Sequence, residues 1–222
     1  MQNKIIGVAL SALMITGVAQ SHSQFNGGYV GVGAGYQMTK QIVKADGNAA
    51  AAIPAAQRES KTVSPKGFDL SVHAGYGEMM DSIYVGGDAR FAYNTGKKST
   101  TMVDAAVPPT KAEIKTGWKT GLGALVGTEV MDDCLVYFRL GLDYSKTKIK
   151  VTNAGNFNTN KSTTVWYVTP GVGVMKSLDQ DWKINASYEY GHAISAKKIS
   201  NIIAFDKKPT THAVKVGVSY FL

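Results

Sequence analysis

The sequence predicts an all-β fold, an eight-stranded antiparallel up-and-down β-barrel preceded by a signal peptide. From Phe25 onward, eight stretches alternate apolar and polar residues with the two-residue period of a strand. The connections between these stretches alternate between short turns and long loops. A third observation is the N-terminal segment, which has the pattern of a secretory signal.

The composition limits the class of protein. The chain has 222 residues, of which 44% are hydrophobic, and it contains one Cys. It is therefore neither a disulfide scaffold nor a disordered chain. After the N-terminal segment no apolar run reaches 18 residues, which excludes a bundle of membrane-spanning helices. A membrane barrel is not excluded, because its apolar residues alternate with polar ones.

Residues 1–24 form the predicted signal peptide, and residues 25–222 form the predicted barrel. The segment has Lys4, then an apolar stretch over Ile5–Ala19, then small residues suited to cleavage. Cleavage after Ala19, Ser21 or Ser23 fits equally well. An uncleaved anchor is disfavoured because the apolar stretch is short.

Each alternating stretch predicts one strand. The eight strands are Tyr29–Met38, Phe68–Tyr76, Tyr84–Asn94, Trp118–Glu129, Val136–Ser145, Trp166–Val174, Trp182–Gly191 and Val214–Leu222. Short turns follow the second, fourth and sixth strands, at Glu78–Asp81, Met131–Cys134 and Leu178–Asp181. The four long connections run through 39–66, 96–113, 152–162 and 195–210. An even strand number with short turns at one rim is typical of an outer-membrane barrel with periplasmic turns.

The polar face of the strands predicts the barrel interior. It is rich in Gly, Ser and Asn, as a narrow lumen requires, and it carries five acidic and five basic residues. We predict that these ten side chains form a neutralised interior charge network. They are Asp69, Asp88, Arg90, Lys119, Glu129, Arg139, Asp143, Lys183, Glu189 and Lys215.

The apolar face predicts contact with lipid. It has no charge in mid-strand, where a Lys or Arg costs about 2–4 kcal/mol. Aromatic residues near the strand ends predict two interfacial girdles. The loop-side girdle is Tyr36, Phe68, Tyr93, Trp118, Tyr144 and Trp166, and the turn-side girdle is Tyr76, Phe138, Trp182 and Tyr220.

The C-terminal residues carry a family resemblance. Lys215, Gly217, Tyr220 and Leu222 match the pattern of an assembly signal, with Leu where Phe is commoner. On this motif and the strand pattern, the chain resembles the small outer-membrane β-barrels of Gram-negative bacteria, of the OmpA-like, OmpX-like and opacity or surface-antigen types. The resemblance implies a bacterial outer-membrane location, surface exposure, a structural or binding role, and folding by the outer-membrane assembly machinery.

The net charge of +8 is concentrated at one end of the predicted barrel. The four long connections and their flanks carry 17 bases and 5 acids. This basic crown predicts contact with lipopolysaccharide phosphates, and it leaves an adhesin for anionic host glycans as the alternative. The lysines expected to carry polyanion binding are Lys97, Lys98, Lys197, Lys198, Lys207 and Lys208. Nucleic acid is disfavoured as a partner, because these residues face outside the cell. We expect a monomer.

No catalytic residues, cofactor or metal site are predicted. His73 points toward the lumen, and the His-any-Ser spacing of the lipid deacylases of this class is absent from the predicted strands. His192 and His212 flank the fourth loop with the same outward parity, which leaves a haem or metal site as a remote alternative. A narrow pore is also disfavoured, because eight strands leave room only for side chains.

Overall fold

A computed structural model describes residues 23–45, 61–103, 110–131, 133–153, 158–196 and 203–222. The predicted signal peptide lies outside these residues except for its last two positions. The described residues contain ten strand segments and no helix long and apolar enough to cross a membrane. The segments are β1 (Gly27–Ala45), β2 (Lys61–Val63), β3 (Lys66–Met80), β4 (Ile83–Asn94), β5 (Lys97–Val103), β6 (Thr110–Met131), β7 (Cys134–Asn153), β8 (Asn158–Ser177), β9 (Trp182–Ala196) and β10 (Ile203–Phe221).

The ten segments make eight barrel strands. β2 and β3 follow one another along β1, and they are separated at Ser64 and Pro65. Proline has no N–H to donate to a ladder, so a strand is interrupted there. β4 and β5 follow one another along β6 in the same way, with a break at Thr95 and Gly96.

All pairings are antiparallel, and the sheet closes because β1 pairs with both β3 and β10. This confirms the predicted eight-stranded barrel. Following paired residues once around the barrel from Gly31 returns to β1 about ten residues further along. A barrel with this strand number has an interior that side chains can fill.

The predicted apolar face points outward. Large side chains in mid-strand are exposed on the outer wall, with Leu122 at 67% and Leu70 at 59%. A solvated protein surface rarely carries such a continuous apolar band. Loop-side girdle residues touch one another along the outer wall: the ring centroids of Trp118 and Tyr144 are 5.5 Å apart, and those of Tyr144 and Trp166 are 5.0 Å apart.

The strands extend further at the loop end than the sequence predicted. β7 and β8 remain paired up to Thr152 and Asn158, and β6 begins at Thr110. The predicted long connections at 39–66, 96–113, 152–162 and 195–210 were therefore wrong over part of their length. These segments hold β-branched residues that favour strands, and hydrogen bonding continues beyond the apolar band.

The first predicted turn is also displaced. β3 continues to Met80, so the turn consists of Asp81 and Ser82. Asp81 has φ of 56°, in the left-handed region that Asp tolerates in tight turns.

Candidate functional site

The centre of the lumen holds a chain of ion pairs. The Arg139 guanidinium donates to the Asp88 carboxylate from Nε and Nη2 over 2.8–3.0 Å. Arg90 Nη2 lies 3.5 Å from Asp88 Oδ2, and its Nη1 pairs with Glu189. The alternating charges stabilise one another, and this offsets the cost of taking each of them out of water.

Lys215 extends this chain toward β3. Its Nζ lies 2.9 Å from Glu189 Oε2 and 3.9 Å from Asp69 Oδ1. The chain thus joins three acids to three bases and is neutral as a whole.

A second pair lies nearer the loop end. Lys119 Nζ is 3.5 Å from Asp143 Oδ2, and the Thr169 hydroxyl donates to the same oxygen over 2.7 Å. Lys119 also donates to Gln37 Oε1 at 3.5 Å. Eight of the ten residues of the predicted network therefore lie in two buried, neutral clusters.

The remaining two residues of the predicted network lie apart from it, at the turn end. Glu129 accepts a hydrogen bond from the Ser23 hydroxyl over 2.8 Å. Lys183 donates to the backbone carbonyls of Asp179 and Gln180, and its Nζ lies 5.2 Å from the centroid of the Phe221 ring. The Glu129 contact joins Ser23 to β6, and the Lys183 contacts hold the turn that precedes β9, so neither residue extends the central chain.

The turn end of the lumen is closed by an apolar plug that the sequence analysis missed. Nine buried side chains form this plug: Phe25, Tyr29, Met79, Tyr84, Leu125, Leu135, Tyr137, Met175 and Phe221. The Tyr29 and Phe221 rings stack with centroids 5.0 Å apart. The sequence sign of this plug was the presence of large aromatic residues at strand positions whose side chains point into the lumen.

Glycines of the lumen face make room for the plug tyrosines. A Cβ on Gly77 would lie 2.0 Å from the Tyr84 hydroxyl, and one on Gly75 or Gly173 would lie 2.4 Å from a tyrosine ring. Each of these glycines faces a ring from a neighbouring strand. These three glycines are therefore required by the rings that pack over them.

His73 lies inside the lumen with little free space around it. Its Nε2 is 2.9 Å from the Ser219 hydroxyl. A cavity of about 30 Å³ lies beside it, between Ser71 and Arg90 among others, with room for about one water molecule. Ser219 itself is 0% exposed, so a substrate in solution does not reach this Ser–His pair.

At the loop end, a row of lysines crosses four neighbouring strand segments. Lys66 is paired in register with Lys97, Lys97 with Lys115, and Lys115 with Lys148. All four side chains are exposed. Like charges placed directly opposite one another destabilise a sheet, so this row lowers the stability of the sheet locally unless anions neutralise it.

Glu113 supplies part of that compensation. Its carboxylate lies 3.1 Å from Lys97 Nζ and 3.2 Å from Lys115 Nζ. The hydrogen bond from Lys97, together with that from Lys115, lowers the pKa of Glu113 below its ordinary value.

The structure assigns positions to four of the six lysines predicted to bind polyanions. Lys97 and Lys98 lie on β5 with exposed side chains, and Lys207 and Lys208 lie on β10, where the Lys208 side chain is exposed. These four lie on strand extensions, although the sequence analysis assigned them to loops. Lys197 and Lys198 lie outside the described residues.

The four residues of the predicted assembly signal lie on or just beyond β10 and have different surroundings. Lys215 and Gly217 face the lumen, and a Cβ on Gly217 would lie 2.8 Å from Val32 O. Tyr220 packs against Trp182 on the outer wall with ring centroids 5.2 Å apart. Leu222 is 82% exposed, and its N–H donates to Gly28 O.

The two histidines near the fourth loop are not arranged as a metal site. His192 is paired with Thr210 and His212 with Tyr190. The Nδ1 of His212 is engaged by the Tyr188 hydroxyl at 2.7 Å. Across the described ranges, no group of three His, Cys, Asp or Glu side chains is arranged to hold a metal.

Comparison with known proteins places this barrel in a family. The model of the outer membrane protein beta-barrel domain matches residues 6–221. The chain belongs to this family. As an outer membrane protein beta-barrel domain, it lies in the outer membrane with its apolar wall in lipid. In barrels of this kind the short turns face the periplasm and the long connections face outside the cell.

A relative and two solved structures are similar to this chain along most of its length. The 31 kDa outer-membrane immunogenic protein of Brucella melitensis is 26% identical over 209 residues, covering 88% of this chain and 83% of the relative. The structure of Ail of Yersinia pestis with the heparin analogue sucrose octasulfate has 17% identity, 88% and 99% coverage and a TM-score of 0.42. Neisserial surface protein A has 17% identity, 89% and 98% coverage and a TM-score of 0.46.

Proposed function

We propose that this protein is a monomeric, non-catalytic surface protein whose cationic extracellular end binds polyanions. A structural role in the outer membrane accompanies this binding. The observation that carries the proposal is the in-register row Lys66, Lys97, Lys115 and Lys148, for which one described acid, Glu113, offers charge compensation. An external polyanion removes the like-charge repulsion that the row creates.

The described lumen supports a structural role over a catalytic one. Its charged side chains pair with one another, and the His73–Ser219 pair is enclosed among them. A catalytic nucleophile needs access to a substrate as well as a base. We therefore assign no reaction to these groups, and we expect export by residues 1–24 and folding by the outer-membrane assembly machinery.

The finer form of the proposal is adhesion to sulfated glycans of a host. The residues assigned to it are Lys97, Lys98, Lys197, Lys198, Lys207 and Lys208. Attraction between exposed charges of this kind is long-ranged at low salt and is screened as salt rises.

Retention on immobilised heparin tests the proposal with refolded protein in detergent. We expect retention at low salt that is lost at modest salt, and that falls sharply when the six lysines are changed to Gln. The matched control changes the same six residues to Arg, which keeps the charge and the retention. A lack of retention at low salt contradicts polyanion binding and leaves the structural role alone. Equal retention of the Gln variant contradicts the assignment of the binding to these six lysines.

A further inference from the structure

We propose that a groove on the outer wall of β6 and β7 binds the phosphate groups of a glycolipid embedded in the outer leaflet. Lys115, Lys146, Lys148 and Lys150 line the groove, and Trp118 lies among them. This site goes beyond the polyanion binding proposed above, because it lies beside the membrane interface and takes a lipid from the side.

A β-bulge forms the groove. The register between β6 and β7 shifts between Thr116, which is opposite Thr147, and Lys119, which is opposite Ser145. Two residues of β6, Gly117 and Trp118, therefore face the single residue Lys146 of β7. A bulge of this kind reverses the parity of the strand beyond it and bends it locally.

The change of parity places lysine side chains of both β6 and β7 on the outer wall. Below the bulge, Lys119 points into the lumen and Leu122 points outward. Above it, the buried residue is Ile114 and the exposed one is Lys115. Lys115 is therefore on the same outer wall as the lysines of β7, with an opening of about 450 Å³ beside them.

The height of the groove matches the headgroup layer. Tyr144 belongs to the girdle cluster with Trp118 and Trp166, which marks the membrane interface. Lys146 follows Tyr144 by two residues on the same face, a rise of roughly 7 Å along the strand. Lys148 and Lys150 follow at the same interval. Anionic groups of an outer-leaflet lipid lie at this level, immediately above its acyl chains.

The positive charges of the β7 lysines are not neutralised by acids among the described residues. The one described acid lining the groove is Glu113, and its oxygens lie against Lys97 and Lys115. Across the described ranges, no ion pair within 4.0 Å engages Lys146, Lys148 or Lys150. The three ammonium groups, with the ring of Trp118 beside them, match the phosphate groups of a phosphorylated sugar. The acyl chains of the same lipid then lie along the apolar outer wall below the groove.

The test compares two lipids on three proteins refolded in detergent micelles. The lipids are lipid A with both phosphates and the same lipid after dephosphorylation. The proteins are the wild type, the triple variant Lys146→Gln, Lys148→Gln and Lys150→Gln, and a control triple variant with Lys146→Arg, Lys148→Arg and Lys150→Arg. Both triples change the same three residues, but the control keeps their positive charge. Binding is measured as the Kd from quenching of tryptophan fluorescence.

The wild type and the control should bind phosphorylated lipid A about tenfold more tightly than the dephosphorylated lipid, as a sum of several weak ion pairs. The groove variant should lose this preference. Equal affinity of the wild type for both lipids overturns the proposal, and this comparison does not depend on any variant folding. A preference retained by a folded groove variant also overturns it.

Heparin separates this site from the polyanion surface proposed above. The six-lysine variant should lose heparin retention but keep its preference for phosphorylated lipid A, because the groove is lined by other lysines. The groove variant should lose that preference, and it should lose heparin retention only in part, because Lys148 is the one member of the lysine row that it changes. If heparin instead displaces lipid A from the wild type and the groove variant loses both ligands, the groove is part of the glycan surface and the lipid assignment is wrong.

Discussion

Arg139 of β7 reaches over β6 to hold Asp88 of β4, with donor–acceptor distances of 2.8–3.0 Å. The pair passes above Gly123, where a Cβ would lie 2.5 Å from Asp88 Oδ1 and 2.6 Å from the guanidinium. A Cβ on Gly141 would lie even closer, 2.2 Å from Arg139 Nη1. The pair and the two glycines are therefore one structural unit that ties three strands together.

Breaking this pair should destabilise the barrel strongly. Arg139→Met leaves the buried Asp88 carboxylate with Arg90 as its remaining cation, and loss of one partner of a buried pair costs about 3–5 kcal/mol. The free energy of unfolding is measured by urea titration in lipid vesicles with tryptophan fluorescence. The double variant Arg139→Met and Asp88→Leu should lose less than the single one, because it buries no unpaired charge. A larger loss in the double variant would contradict this account.

Alanine at position 123 should be poorly tolerated. The added methyl group of Gly123→Ala meets two side chains that are already fixed by each other, so the pair must separate. Gly87→Ala is the matched control, since its Cβ has open space except for a backbone oxygen at 3.5 Å. The folded fraction, read from heat-modifiable mobility on gels, should fall for Gly123→Ala and stay unchanged for Gly87→Ala. Equal behaviour of the two variants would exclude the steric explanation.

A charge on the outer wall should be tolerated according to its depth. Leu122→Lys places an ammonium group in the apolar band and should lower the free energy of unfolding in vesicles by about 2–4 kcal/mol. Val130→Lys, near the turn end of the same strand, should cost about 0–1 kcal/mol because the side chain reaches the interface. Similar costs at both positions would show that the outer wall does not face hydrocarbon.

The barrel should not conduct ions steadily. The central ion pairs and the apolar plug fill successive levels of the lumen. Planar-bilayer recordings of the wild type should therefore show no large, stable conductance. Arg139→Ala should stay silent as well, since the plug residues Tyr84 and Tyr137 remain. A stable open level in the wild type would refute the filled lumen.

Glu113 should contribute to the loss of folding stability at acidic pH. Its pKa is lowered in the folded protein, so its ion pairs contribute stability that is present above its unfolded pKa and is lost as pH falls through the folded value. Carboxyl NMR of labelled protein should show the pKa of Glu113 rising toward its ordinary value in Lys97→Gln, and less so in Lys115→Gln. An unchanged pKa in both variants would mean that these contacts do not persist in solution.

The membrane-spanning part of the barrel could be predicted from the alternation together with the composition of its two faces. An outward side chain such as Leu70 and an inward one such as Asp69 follow from the two-residue period, because one face must be apolar in lipid. The lumen location of most charged residues followed from the same parity. Which acid pairs with which base could not be predicted, since partners such as Arg139 and Asp88 are set by register across an intervening strand.

The lysine groove lay beyond the sequence analysis for a different reason. The bulge at Gly117 reverses the inward and outward positions of β6, so continuing the period from Leu122 assigns Lys115 to the lumen. The strand extensions were missed because their high charge resembles that of loops. The plug was missed because parity assigned Tyr29 and Tyr84 to the lumen without indicating that they would meet there.

The stacking of Tyr29 on Phe221 has a consequence for biogenesis. These rings belong to β1 and β10, which are separated along the polypeptide by every other strand. During synthesis β1 is made before β10, so this edge of the sheet cannot close until the last strand is present. Until then β1 has an open hydrogen-bonding edge and Tyr29 has an uncovered ring, and such an edge can pair with other chains.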